Sequence, residues 1–341
     1  MKRRGAAFYV TTLATVMAAA ILWLAFDQGR QRASVDMAEV SPLMTPGRDP
    51  LVPLPLSLPL DERKVVLGRQ LFHDVRLSSD ETVSCASCHP LDAVGVDRRS
   101  VSVGVAGRQG SANAPTVFNS GFNFRQFWDG RAASLEEQID GPLQHPAEMA
   151  GNWPRTLDLL RSDSDYRSQF LALYPAGITE HSVKDAIATF ERSLITPNSS
   201  FDRYLRGDNA ALTVDERAGL QLFKDIGCIS CHQGVNLGGN MYQKLGVFED
   251  YYAVGASKAS DQGRFNITHQ EEDRYFFKVP GLRNVALTAP YLHDGSAPSL
   301  ADVVGIMARY QLGRVINPEE LARLVAFLGS LTGEYQGRPL P

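Results

Sequence analysis

The sequence predicts an all-α protein made of two related helical halves, and three observations carry that prediction. Apolar residues recur at helical spacing after residue 60, period-two alternation is scarce, and one seven-residue pattern occurs twice at the end of a helix. The 341 residues, 44% hydrophobic and 21% charged, suffice for one or two domains with cores and exclude a disordered chain. A net charge of −4 supplies no basic stripe, so no nucleic-acid partner is expected.

The N-terminus comes first. Lys2, Arg3 and Arg4 precede Ala6–Phe26, a run of 21 uncharged residues. That is longer than the roughly 7–15 apolar residues of a secretory signal and close to the roughly 20 that span a bilayer. No clear A-x-A site ends it, which favours an uncleaved anchor over a cleaved signal in residues 1–27. Everything after Phe26 would then be exported, although Arg30 and Arg32 weaken the charge asymmetry. Residues 28–60 follow, with prolines at 42, 46, 50, 53, 55 and 59. Proline lacks a backbone donor and favours extended chain, so this stretch reads as a semi-rigid linker holding the body off a membrane. An N-terminal strap lying along the body is the other reading.

Helical texture begins at Asp61. Residues 61–74 open on acidic groups, and residues 156–174 and 181–195 carry apolar residues at helical spacing. Residues 213–225 open on Thr213 with Glu216 as a capping-box partner. Residues 317–331 open on Asn317, with Pro318 at the first helical position and Glu320 closing the box. Gly68–Asp74 (GRQLFHD) and Gly219–Asp225 (GLQLFKD) share G-x-Q-L-F-x-D. The repeat divides the body into residues 61–200 and 201–341, joined through the turn-rich stretch 196–212.

Each copy of the repeat is followed by C-x-x-C-H: CASCH at 85–89 after ten residues, CISCH at 228–232 after two. All four cysteines of the chain lie in these motifs. A single C-x-x-C is a zinc half-site or a redox dithiol, and zinc needs two such pairs on one ion. Two copies, each ending in histidine after the same helix, point instead to covalent haem. Cys85, Cys88, Cys228 and Cys231 would bind porphyrin vinyl groups, with His89 and His232 as proximal iron ligands. The predicted fold is thus two cytochrome c-like haem domains packed together. Such haems are attached on the exported side of the membrane, which agrees with the N-terminal segment.

From about residue 60 to 335 the chain resembles the bacterial di-haem cytochrome c peroxidases. The resemblance is carried by LFHDVRLSSDETVSCASCH, NAPTVFNSGFNFRQFWDGRAASLEEQ, PLQHPAEM, FKVPGLRNVALTAPYLHDGS and IMARYQLG. It implies reduction of hydrogen peroxide at the His89 haem, with electrons entering at the His232 haem. The second ligand of the entry haem falls 14 residues after the H-D-G histidine, His293, at Met307. A thioether ligand raises an iron potential, although a helix methionine taken by spacing alone is more often core.

Trp128 matches the family tryptophan between the haems. Gln138 and Glu148 match the polar pair on the peroxide side, with Glu148 as acid–base group and Gln138 positioning. His145 carries no assigned role. Asn113, Thr288 and Pro290 match a calcium site of side-chain and carbonyl oxygens, ligands that suit a hard cation.

One position departs from the family. Many of these enzymes block the oxidised peroxide haem with a histidine eight residues before the calcium asparagine; here that position is Val105, and no histidine lies between His89 and His145. The expectation is an open peroxide site needing no reductive activation. The alternative function is a protein-modifying di-haem oxidase like that of methylamine utilisation, which the resemblance places with tyrosine at the position of Met307. A plain electron carrier would need neither Gln138 nor Glu148. The expected donor is a small cytochrome c or a copper protein. The expected setting is the periplasmic side of the inner membrane, anchored or soluble, and a homodimer is a family expectation.

Overall fold

Two glycines fix how the helices cross. Helix α1 (Glu62–His73), N-capped by Asp61, lies against α7 (Glu180–Ser193), N-capped by Thr179. A Cβ on Gly68 would run into the Ala186 carbonyl and the Phe190 Cβ, so only a residue without a side chain permits this approach. The ring of Phe72 then meets Phe190 edge-on, with centroids 5.2 Å apart. Helices α9 (Val214–Asp225) and α12 (Pro318–Gly329) repeat the device. A Cβ on Gly219 would strike the Arg323 carbonyl and the Phe327 Cβ, and Phe223 and Phe327 lie 5.2 Å apart. The shared sequence pattern is therefore a shared helix crossing.

A computed structural model of the chain describes residues 49–253 and 261–341. Between α1 and α7 come α2 (Cys85–Cys88), α3 (Leu135–Gln138), α4 (Asp140–Gln144), α5 (Trp153–Ser162) and α6 (Ser164–Leu173), and α8 (Ser200–Leu205) lies between the two crossings. Two further helices, α10 (Phe265–Thr268) and α11 (Leu300–Ile306), lie between α9 and α12. The helix read at 156–174 is broken: Asp163 leaves helical geometry and caps α6 by accepting from Asp165 N and Tyr166 N. Two antiparallel strand pairs complete the fold, β1 (Tyr242–Lys244) with β2 (Phe276–Lys278) and β3 (Glu334–Tyr335) with β4 (Arg338–Pro339). One apolar cluster draws on residues 67–188 and a second on Leu51 and residues 201–331. Residues 50–341 form one compact unit.

The proposed anchor at 6–26 lies outside the described residues. Among those described, no helix is long and apolar enough to cross a membrane.

Of the two readings of the proline-rich stretch, residues 50–54 follow the strap, lying against the second helix pair. Leu51 and Leu54 are buried, Gly234 N donates to Pro50 O at 2.8 Å, and Arg206 and Arg283 donate to the carbonyls of Leu54 and Val52. Proline removes donors, but it leaves carbonyls that guanidinium groups can use. Arg283 also pairs with Asp202 at 2.8 Å, both side chains almost fully buried, and Asp202 accepts from Leu54 N.

Replacing Gly68 or Gly219 by alanine is expected to cost about 1–3 kcal/mol or more, because two helix backbones must separate. Gly329→Ala meets open space at the end of α12 and should be neutral or gain up to about 1 kcal/mol. Denaturant unfolding of the three variants checks this contrast.

Candidate functional site

The two C-x-x-C-H motifs hold their histidines in the same way. His89 Nδ1 lies 3.1 Å from Gly95 O, and His232 Nδ1 lies 3.1 Å from Leu237 O. A carbonyl only accepts, so Nδ1 carries the proton and Nε2 keeps its lone pair for a metal. Burial lowers the pKa of both imidazoles, the carbonyls opposing it, which favours the neutral form that ligates. Burial also pushes the thiols up, Cys85 to about 12 and Cys228 to about 11. The zinc alternative fails on placement. The cysteine pairs line separate cavities, and no three His, Cys, Asp or Glu side chains among the described residues are grouped to hold an ion.

Cys85, Cys88 and His89 lie on the wall of a cavity of about 350 Å³, with Leu77, Val83, Leu135, Ile139 and Leu143 beside them. Cys228, Cys231 and His232 lie on the wall of a second, of about 270 Å³, with Leu245, Leu300, Val303, Leu324 and Leu328. Two thiols and a poised imidazole in an apolar pocket are the features a thioether-linked macrocycle needs. The residues present therefore fit a haem in each cavity.

Gln138, at the end of α3, and Glu148 both line the first cavity. Glu148 is half-buried, and desolvation raises its carboxyl above the ordinary range against the pull of His145 and Arg131. His145 Nδ1 stands 3.6 Å from Glu148 Oε1, so the histidine without an assigned role is the neighbour of this carboxylate.

The turn bearing Glu148 is clamped by the loop that carries Val105. Val105 N donates to Glu148 O at 2.8 Å, and Arg108 Nη1 donates to Pro146 O at 2.8 Å. Gly104 packs so closely that a Cβ would strike the Ala147 and Glu148 carbonyls. The Val105 side chain is 2% exposed in the core with Leu77, Val83 and Met149, while Gly104 faces the cavity. Sequence reasoning missed Glu191, a buried carboxyl on the same cavity whose Oε2 has no hydrogen-bond partner; burial pushes it up to about 8. Its helical pattern ranks it with ordinary surface charges, and only the fold buries it.

Met307 also lines the second cavity, at the start of a π-helical turn, Met307–Gln311. Single π turns inside helices are frequent at functional sites. The cavities share a wall that includes Asn113, Trp128, Phe277, Lys278 and His293. Trp128 Nε1 donates to Asn113 O at 2.9 Å, and its ring lies edge-on to His293 at 6.4 Å. Asn113, Thr288 and Pro290 all line the second cavity, and Asn113 Nδ2 donates to Arg99 O.

Residues 62–210 match the family model described as di-haem cytochrome c peroxidase. The chain is 48% identical to the cytochrome c peroxidase Ccp of Escherichia coli K12, over 92% of this chain and 67% of that protein. It is 44% identical to the cytochrome c551 peroxidase of Nitrosomonas europaea, over 86% and 87% of the two chains. Among solved structures, a MauG-like protein associated with microbial copper homeostasis superposes with a TM-score of 0.72. It is 32% identical, over 85% of this chain and 95% of that one. The family-model match ends before the second C-x-x-C-H, whereas the match to the Escherichia coli protein takes in 92% of the chain. The chain belongs to the di-haem cytochrome c peroxidases, and it is a peroxidase with two c-type haems.

Proposed function

We propose that the first cavity reduces peroxide and the second receives electrons, in the overall conversion of hydrogen peroxide, two electrons and two protons to two waters. One asymmetry supports this division: Gln138 and Glu148 line the first cavity, Met307 the second. Haem iron, when bound, supplies the attachment point for peroxide and the path for electrons. Ionised Glu148 would take a proton from one peroxide oxygen and return it to the other, which leaves as water. Gln138 orients the peroxide by hydrogen bonding. His145, beside Glu148, stands where it can pass in from solvent the two protons that the second water needs.

Met307 favours reduced iron in the second cavity, and Trp128 in the shared wall is the route between the two. That position also bears on the protein-modifying alternative, for which tyrosine is the expected residue; the methylamine utilization proteins MauG, at 30% and 33% identity, are more distant than the cytochrome c peroxidases at 48% and 44%. The donor we infer is a small cytochrome c, with a copper protein as substitute. Asn113 Oδ1 and the carbonyls of Thr288 and Pro290 are offered to a calcium ion. We place the body on the periplasmic side of the inner membrane, held by residues 6–26, with self-association as the family suggests.

Glu148→Gln is expected to lower kcat by about 10²–10⁴-fold with the haem spectrum retained. Glu148 must be ionised to act, and its pKa is raised, so kcat/KM should fall as pH drops through a value above the ordinary carboxylate range of about 4.3. An acid limb at or below that range, or an unimpaired Gln variant, would remove Glu148 from the role.

The clamped Val105 loop yields a separate prediction. Steady-state turnover with reduced cytochrome c should start without a lag, equally for oxidised and one-electron-reduced enzyme. The oxidised protein should show no bis-histidine low-spin signal from the first haem in electron paramagnetic resonance. A long lag cured by pre-reduction would refute the open site.

A further inference from the structure

Lys278 is 5% exposed and sits at the end of β2, where its backbone N–H donates to Trp128 O at 2.7 Å. Its side chain lines both cavities. Among the described residues no carboxylate forms an ion pair with its ammonium: Glu191 on the first cavity is buried with its carboxyl pushed up to about 8, and the others have partners of their own. Asp261 pairs with His293 at 2.5 Å, Asp129 with Arg131 at 2.8 Å, and Asp202 with Arg283 at 2.8 Å. Asp294 accepts from Ser296 N, and Glu148 faces His145. The other basic side chains on the two walls, Arg131 and Arg283, are thus already matched, and Lys278 is not. Desolvation pushes its pKa down to about 8 with no opposing charge. A buried, unpaired charge is costly unless something of opposite sign arrives.

What arrives is part of the two-haem reading on which this inference rests. Each c-type haem brings two propionate carboxylates, so four negative charges enter two apolar cavities. We propose that Lys278 receives propionate carboxylate at the shared wall and thereby acts on both haems with one side chain. A cation beside the propionates offsets charge that favours oxidised iron. It raises both potentials together and leaves the difference between them, which drives electrons from the second cavity to the first, little changed.

The test is potentiometric titration of both haems in Lys278→Met, which keeps the apolar stem and removes the charge, and in Lys278→Arg, which restores it. Haem content of two per chain in the unaltered enzyme checks the two-haem reading separately. Both midpoints should fall in the Met variant by about the equivalent of a tenfold loss of reduced haem at fixed potential, or 59 mV for one electron. Arg should recover most of that. Unchanged potentials would overturn the proposal, and a fall in one haem alone would overturn the shared role. If the Met variant fails to load haem, Lys278→Gln takes its place and is judged by the same outcomes.

Discussion

The molecule depends on the contact between a helix backbone and a glycine, made twice. At Gly68 and at Gly219 the partner helix comes close enough to exclude any side chain, and each contact is completed by a phenylalanine pair one turn away. Close approach lets both helices bury leucine and phenylalanine on the facing sides, where each buried side chain is worth about 1.5–3 kcal/mol. The crossing also sets where the next residues emerge. In the second half Cys228 follows α9 after two residues, and Phe223 of the crossing lies 6.5 Å, ring to ring, from His232. In the first half a longer connection intervenes, yet Cys85 still packs against the core of the Gly68 crossing. Each C-x-x-C-H motif is therefore set against the helix crossing of its half.

The cavities meet at a wall held by main-chain bonds from both halves. Asn113 N donates to His293 O, Lys278 N donates to Trp128 O, and Trp128 Nε1 donates back to Asn113 O. An indole pinned at its nitrogen and flanked by His293 has little freedom to turn. Electron transfer across such a wall depends on a fixed separation, and these bonds fix it. Further out, the Arg283–Asp202 pair ties the strap at 50–54 to α8 and to the Val235 carbonyl after His232. A buried pair with so many hydrogen bonds gives little net stability over an apolar substitute, but it specifies where the strap lies.

Local features were legible in the sequence and distant partnerships were not. The caps at Thr213 and Asn317, the repeat and both C-x-x-C-H motifs could be read because their meaning lies within a few residues. The break at Asp163 was missed because apolar spacing continues through it, while the aspartate offers its carboxylate to two new amide donors. Strap and spacer could not be told apart in the sequence because proline content reports stiffness, not the presence of Arg206 and Arg283 about 150 to 230 residues away. Glu191 and Lys278 look like ordinary surface charges until the fold buries them against cavities. The resemblance placed Gln138, Glu148 and Met307, and the structure puts the first two on one cavity and the third on the other.

Val105 gains a meaning that composition alone does not give it. A valine in place of a ligating histidine is only an absence, whereas here the residue is buried and its amide holds the carbonyl of Glu148. A loop that swings to block a metal must leave a resting place of comparable stability. This loop would have to surrender a buried valine, the Gly104 contact and the Arg108 bond, all made to the turn that carries the acid–base group. On the proposed reading, the same contacts that aim Glu148 also hold the cavity open, so positioning the acid and giving up a redox-controlled gate are one structural choice. An enzyme made this way relies on its donor, rather than on its own oxidation state, to decide when peroxide is consumed.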